Sequence, residues 1–456
     1  MRIHFIAIGG SAMHNLALAL HDAGHTVTGS DDAILEPSRS RLAAAGILPE
    51  AEGWFPQRLH RDLDAVILGM HAREDNPELL AAEALGLPVQ SYPEFLYHAT
   101  AQQRRAVIGG SHGKTTITGM VLHVLQATGR DTDFMVGAQL PGFDRMVKLD
   151  GKAEWAVFEG DEYLSSPVDR RPKFFHYRPH ATLLTGCAWD HINVFPTEAD
   201  YLRVFADYLL LLAPEADCVY CAEDSTLAAI IRDCPRTDIR WIPYTTPVWR
   251  AVGDGLTEVE FADGGTVSTP LVGTHNLLNL AGARALCACL GVEPAAFDVA
   301  IAGFRGASRR LEPVESTSDF AVFRDFAHAP SKVRATVQGI ADAYPDRQLT
   351  AFFELHTFSS LNPEFLPTYA GSLDAADRAV VFFDPAVLRH KQLPELSPEA
   401  VRTSFNRADL EVVTDRTALE ERFAAVERHG GVVLLMSSGW FSGAVWPAAQ
   451  QAAAEA

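Results

Sequence analysis

The chain has 456 residues, 48% of them hydrophobic, and carries 38 Lys and Arg against 58 Asp and Glu, a formal net charge of -20. At roughly 100 to 200 residues per domain, this length predicts two to four domains, three being the first expectation, each able to bury its own core. The acidic balance excludes a nucleic-acid or anionic-membrane surface, which needs clustered Lys and Arg, but leaves room for a local basic pocket that holds phosphates.

From the amino terminus, RIHFIAIGG at 2–10 reads as a buried strand entering a glycine turn. Its apolar run is too short for a secretory signal, and no stretch approaches the roughly 20 apolar residues of a membrane span, so a soluble cytoplasmic protein is expected. Helical spacing follows, then a short apolar run at Thr26 to Thr28, the alternation of a parallel sheet with crossover helices. The polar residues 100–105 read as a linker to a second domain. Beyond it, Val107 and Ile108 precede a Gly-rich turn and a helix with Ile117, Met120, Val121, Val124 and Leu125 on one face.

Further buried parallel strands are expected at Ala156–Phe158, Thr182–Leu184, Leu349–Phe353, Ala379–Phe383 and Val432–Met436. Residues 310–313 are expected to open a third domain, and the Ala-rich tail after Pro447 to be frayed helix. The six cysteines, Cys187, Cys218, Cys221, Cys234, Cys287 and Cys289, are too few for a disulfide scaffold. Cys218 and Cys221 have zinc-type spacing, but they fall in a strand and no second pair follows, so reduced structural cysteines are expected.

The strongest chemical signal is Gly109, Gly110, Ser111, His112, Gly113, Lys114, Thr115 and Thr116, set between an apolar strand and a periodic helix. Backbone N–H groups of such a turn point at phosphate oxygens, the helix N-terminus adds positive potential, Lys114 supplies a point charge and Thr115 a hydroxyl for Mg2+. A strict GxxxxGK[ST] pattern needs glycine at 108, where this chain has Ile108. The first turn is weaker: Gly9 is the central glycine of GxGxxG, with alanine at both flanking positions, yet Asp31 lies 22 positions after Gly9, where an acid meets a ribose hydroxyl in dinucleotide folds. By itself this turn leaves a nicotinamide-dependent oxidoreductase open.

Glu159, Asp161 and Glu162 follow one apolar strand, and Asp190 and His191 follow another. In an open parallel sheet that edge binds ligands, and these groups suit Mg2+ beside ATP phosphates, the alternative being a solvated acidic turn and a packed histidine. The polar islands at 273–276, 308–310 and 325–330 are, taken singly, more often caps, surface ion pairs or turns than sites.

In order, GSHGKTT (110–116), FEGDEY (158–163), KFFHYRP (173–179), WDHINVF (189–195), GTHNLLN (273–279), SRRLE (308–312) and DFAHAP (325–330) resemble the Mur ligase family over essentially the whole chain. Residues 1–10, VTGSD at 27–31, KFFHYRP and LLMSSGWFSG at 434–443 are most similar to the branch that joins the peptide L-Ala-gamma-D-Glu-meso-diaminopimelate to UDP-N-acetylmuramate during cell-wall recycling. The branch that adds free L-alanine is its sister.

The resemblance implies an α/β protein of three domains: a Rossmann-like UDP-sugar domain (1–103), a central P-loop domain with a parallel or mixed sheet (104–312), and a Rossmann-like domain for the amine donor (313–456). It places Gly9, Gly10, Ser11, Ala12 and Met13 around the UDP diphosphate and Asp31 near the uridine. ATP would lie on residues 110–116, with His275, Asn276, Arg309 and Asp325 also contacting the nucleotide. Thr115, Glu159 and His191 would serve Mg2+, and Lys114, Glu159, His191 and Arg309 would carry the catalysis. The implied reaction activates a muramyl carboxylate as an acyl phosphate, which an amino acid or peptide then captures. ELHTFSS at 354–360 stands where the peptide-adding branch has an arginine-bearing segment, so one candidate carboxylate clamp is lost. The competing readings are the L-alanine-adding enzyme, the oxidoreductase above, and a nucleotide-binding regulator without catalysis.

Overall fold

The computed structural model describes residues 1–70, 72–189, 194–253, 256–306 and 310–447. The expected tail helix lies outside them. The chain divides into two compact units, one of residues 1–245 and 280–301, the other of 246–279 and 302–456.

The first unit holds two sheets. The amino-terminal one has four parallel strands in the order Thr26–Ser30, Arg2–Ile6, Ala65–Leu68, Val89–Ser91. Its strands are short apolar runs, and Ala65–Leu68 is buried along its whole length, as strands covered on both faces must be. A buried hydrogen bond ties this layer together: His4 Nε2 lies 3.2 Å from Glu78 Oε2, both side chains being wholly inaccessible. Burial alone would raise the Glu78 pKa, but His4, Ser30 and the Phe55 N–H outweigh it and hold the carboxyl below its usual range.

The larger sheet has seven strands in the order Arg240–Tyr244, Asp217–Cys221, Ala181–Leu184, Arg104–Gly109, Trp155–Glu159, Thr132–Met135, Val147–Lys148, all parallel except the last. The expected strands at 107–108, 156–158 and 182–184 are its three central members. The helix Lys114–Ala127 buries Ile117, Met120, Val121, Val124 and Leu125, as its spacing predicts, each worth about 1.5–3 kcal/mol of apolar burial. The two layers meet where Arg145 Nε contacts Asp22 Oδ2 at 2.9 Å and Arg41 reaches the Gln139 amide at 3.2 Å.

Residues 100–103 connect helix Tyr92–Ala99 to the larger sheet, so only the first part of the expected linker 100–105 is a connection. Arg104 and Arg105 already belong to strand Arg104–Gly109, and the Arg105 guanidinium caps the carbonyls of Tyr177, Thr100 and Gln103. The Thr100, Gln103 and Arg105 side chains are spent on backbone carbonyls, while Gln102 and Arg104 are exposed.

The second unit carries a three-stranded antiparallel sheet, Val248–Gly253, Leu256–Glu260 and Thr266–Thr269, and a six-stranded one. The latter runs Glu312–Ser316, Phe320–Asp325, Gly431–Met436, Gln348–Glu354, Arg378–Phe382, Glu411–Val413, with only the first strand antiparallel. All six cysteines are free thiols, and Cys218 and Cys221 are buried in strand Asp217–Cys221. Among the described residues no helix is long and apolar enough to cross a membrane.

Candidate functional site

The Gly-rich turn leaves the carboxyl end of strand Arg104–Gly109 and enters helix Lys114–Ala127 with Gly113 at φ 74°, a left-handed conformation that suits glycine. Gly110 has φ 117°, and a Cβ there would lie 2.2 Å from Thr185 Oγ1 and 2.7 Å from the Thr185 nitrogen. Ser111 stitches the loop to the next strand end: its N–H donates to the Gly186 carbonyl at 3.0 Å and its hydroxyl accepts from Ala188 N–H at 3.0 Å. The turn is thus fixed from below, with the first N–H groups of a long helix above it.

Lys114 Nζ donates to the Gly110 carbonyl at 2.7 Å and to Glu162 Oε2 at 2.5 Å, with Asp161 Oδ1 at 4.0 Å. Burial alone would lower its pKa, but Glu162, Asp161 and Glu159 outweigh that and push it above the usual lysine value, so the ammonium is a permanent charge. Glu162 is 1% exposed and also accepts the Tyr201 hydroxyl at 3.1 Å. Lys173, from the KFFHYRP segment, holds Asp161 at 2.7 Å. The sequence offers Glu159, Asp161 and Glu162 together as carboxylates suited to Mg2+, and the family resemblance assigns that role to Glu159. Glu162 and Asp161 stand in the same quoted motif, but nothing local distinguishes a lysine's partner from a solvated acid.

Glu159 ends strand Trp155–Glu159, accepts the Thr115 hydroxyl at 2.8 Å and receives the Gly137 N–H at 2.7 Å. A hydroxyl and a carboxylate together beside a phosphate-binding turn are the hard oxygen donors that suit Mg2+, which keeps waters and phosphate oxygens as its remaining ligands. Among the described residues there is no group of three His, Cys, Asp or Glu placed to hold a metal ion. His191 lies outside the described residues.

The first glycine turn follows strand Arg2–Ile6. Ala7 takes φ 69°, and the Ala7 and Ile8 N–H groups both bond the Ser30 carbonyl. Gly10 caps helix Ser11–Asp22, whose first residues Ser11 and Ala12 are exposed while Met13 is buried. Asp31 is brought to this turn: its Oδ2 accepts the Gly9 N–H at 2.6 Å. Burial raises its pKa, the Gly9 and Ala33 N–H groups oppose that and Asp32 reinforces it, leaving the carboxyl at about 6.

In the second unit, His275 packs between Gly273 and Gly339, with burial pushing its pKa down and Asp325 pushing it up, the net being down. Asn276 donates to the Val272 carbonyl at 2.9 Å, and Asp325 accepts N–H groups from Leu311 and Ala327 at 2.8 and 2.7 Å. His275, Asn276 and Asp325 therefore occupy one unit, and Lys114, Thr115, Glu159, Gly9 and Asp31 the other. Arg309 lies outside the described residues.

Three family models match the chain: Mur ligase family, catalytic domain, over residues 2–104; Mur ligase middle domain over 108–287; and Mur ligase, glutamate ligase domain, over 309–439. The UDP-N-acetylmuramate--L-alanine ligase of Arthrobacter sp. (strain FB24) is 34% identical over 88% of this chain and 84% of its own length. The UDP-N-acetylmuramate-alanine ligase structure from Thermotoga maritima matches at TM-score 0.74 and 21% identity, covering all of both chains, a likeness of fold. The UDP-N-acetylmuramate:L-alanyl-gamma-D-glutamyl-meso-diaminopimelate ligase structure from Neisseria meningitides matches at TM-score 0.60 and 28% identity over 66% of this chain and 98% of that one. With its family models, its relatives and its phosphate loop in agreement, the chain belongs to the Mur ligase family and is an ATP-dependent acid–amino-acid ligase of peptidoglycan synthesis.

Proposed function

We propose that this ligase joins L-alanine to the lactyl carboxylate of UDP-N-acetylmuramate at the cost of ATP. The observation that carries the chemistry is the loop at 110–116, where Lys114 is held as a cation and Thr115 is bonded to Glu159. The donor assignment rests on the 34% identity to an L-alanine ligase over 88% of the chain. A second reading, the tripeptide L-Ala-gamma-D-Glu-meso-diaminopimelate as donor, is supported by the 28% identity to the Neisseria meningitides enzyme over a shorter stretch.

In this reading residues 1–103 bind the UDP-sugar, 104–312 ATP and 313–456 the amine donor. Gly9, Gly10, Ser11, Ala12 and Met13 lie around the UDP diphosphate and Asp31 lies near the uridine. His112, Gly113 and Thr116 complete the cradle for the ATP phosphates, and His275, Asn276, Arg309 and Asp325 contact the nucleotide. A carboxylate is a poor acyl donor until one oxygen becomes part of a phosphate leaving group. Lys114 and Arg309 offset charge on the γ-phosphoryl as the lactyl carboxylate attacks it in line. Thr115, Glu159 and His191 would hold Mg2+, which when bound neutralises phosphate charge. The amine then displaces phosphate. Both substrates that carry nucleotides are cytoplasmic, and so is the proposed site of action.

The test is a product mass assay with UDP-N-acetylmuramate, Mg-ATP and each donor in turn. Ligation of L-alanine supports the first reading, ligation of the tripeptide alone replaces it with the second, and no product with either overturns both.

A further inference from the structure

In the six-stranded sheet of the second unit, strand Gly431–Met436 and its two neighbours send their connections to opposite faces. Strands Phe320–Asp325 and Gln348–Glu354 lead to Val333, Val337, Leu361, Leu366 and Tyr369 in one core cluster. Strand Gly431–Met436, which lies between them, leads to Phe441 and Trp446 in the other. Such a divergence opens a crevice at the carboxyl ends of the strands, where α/β sheets bind ligands. Here those ends carry Glu354, His356 and the run Ser437, Ser438, Gly439.

Glu354 is 2% exposed; its Oε2 accepts the Ser437 hydroxyl and, at 2.8 Å, the Phe441 N–H. Its Oε1 stands 3.7 Å from His356 Nδ1. Among the described residues that buried nitrogen has no hydrogen-bond partner, while the His356 side chain as a whole is 36% exposed, so the rest of the ring meets solvent. Gly439 makes this seat: a Cβ there would lie 2.7 Å from His356 Nδ1 and 2.9 Å from Glu354 Oε2. The Ser438 hydroxyl, on the same strand end, is likewise buried without a partner. Among the described residues Glu354 is the acid within ion-pair range of His356. Asp384, beyond the neighbouring strand, is taken by the Ser442 hydroxyl and the Ala386 N–H, and Lys391 lies over the Phe358 ring at 4.2 Å.

A carboxylate behind Nδ1 and an open Nε2 is the arrangement that orients a histidine as a base, and such contacts tighten when substrate binds. We infer that His356 is the base that deprotonates the incoming amine donor and that Glu354 is its positioning residue. This rests on the ligase reading above and adds to it the group that makes the amine nucleophilic. Both candidate donors present the same group, the α-ammonium of an L-alanine residue. One proton passes from that ammonium to His356 Nε2. The nitrogen lone pair forms the C–N bond at the acyl carbon, the C–O bond to phosphate breaks with its electrons going to the phosphate oxygen, and the second N–H proton leaves with the phosphate. His356 returns its proton to solvent.

The experiment uses His356→Gln, and His356→Ala as a second variant, in the full chain with UDP-N-acetylmuramate and Mg-ATP. Hydroxylamine, largely neutral near pH 7, traps an acyl phosphate as a hydroxamate without a base; L-alanine and the tripeptide need one. The expected result is hydroxamate formation within twofold of the wild type, while ligation of the accepted donor falls about 10²–10³-fold. In the variants that ligation climbs steadily as pH is raised, where the wild type levels off. Ligation within threefold of the wild type, or a parallel fall in hydroxamate formation, overturns the inference. Absence of hydroxamate from the wild type overturns the ligase reading and this inference with it.

Discussion

Asp31→Asn is expected to stabilise the free protein while weakening its hold on the UDP-sugar. Asp31 is 7% exposed and its carboxyl sits at about 6 rather than 3.8, because burial penalises the charge more than the Gly9 and Ala33 N–H groups relieve it. The folded state therefore holds the proton more tightly than the unfolded chain, and the wild type loses stability as pH rises from about 4 to about 6. Above that window the ionised side chain costs about 3 kcal/mol, at about 1.36 kcal/mol per tenfold change in proton affinity. Asparagine keeps an oxygen to accept the Gly9 N–H, which lies 2.6 Å from Oδ2, and carries no charge. The variant should exceed the wild type by about 3 kcal/mol at pH 7.5 and by about half that at pH 5. Urea denaturation at both pH values, followed by amide exchange in residues 2–30, reads the difference. A variant less stable than the wild type at pH 7.5, or an offset equal at the two pH values, refutes the reasoning.

Lys114→Ala is expected to lower ligation about a thousandfold. It should also destabilise the fold by about 3–5 kcal/mol, since Glu162, 1% exposed, loses its cation. Adding Glu162→Gln should recover most of that stability in thermal melts without recovering phosphate release. Gly110→Ala places a methyl against the Thr185 backbone nitrogen at 2.7 Å and the Gly186 carbonyl at 2.9 Å, in a backbone region closed to alanine. It should abolish ATP binding in a calorimetric titration while leaving UDP-N-acetylmuramate binding in place.

The parallel strands were legible because each is a short apolar run that no other element explains, as at Ala181–Leu184, and the Gly-rich turn between strand and helix because its parts are consecutive. The three-stranded sheet at 248–269 escaped notice because a surface sheet alternates polar and buried residues, as Leu256–Glu260 does, without a contiguous apolar signal. Within 100–105 only Arg104 and Arg105 depart from a connection, because a charged side chain that caps carbonyls, as Arg105 does, looks in sequence like one that meets water. The pairing of Lys114 with Glu162 spans 48 positions, and that of Glu354 with Ser437 spans 83. Both are made by strand order, which local patterns do not encode.

In the proposed reaction ATP activates the sugar-linked acid by phosphorylating it. The most direct measurement uses UDP-N-acetylmuramate labelled with oxygen-18 in the lactyl carboxylate, incubated with Mg-ATP and L-alanine or the tripeptide, and weighs the released phosphate. One labelled oxygen transferred to phosphate per amide bond formed is the predicted result. Amide formation with unlabelled phosphate contradicts it.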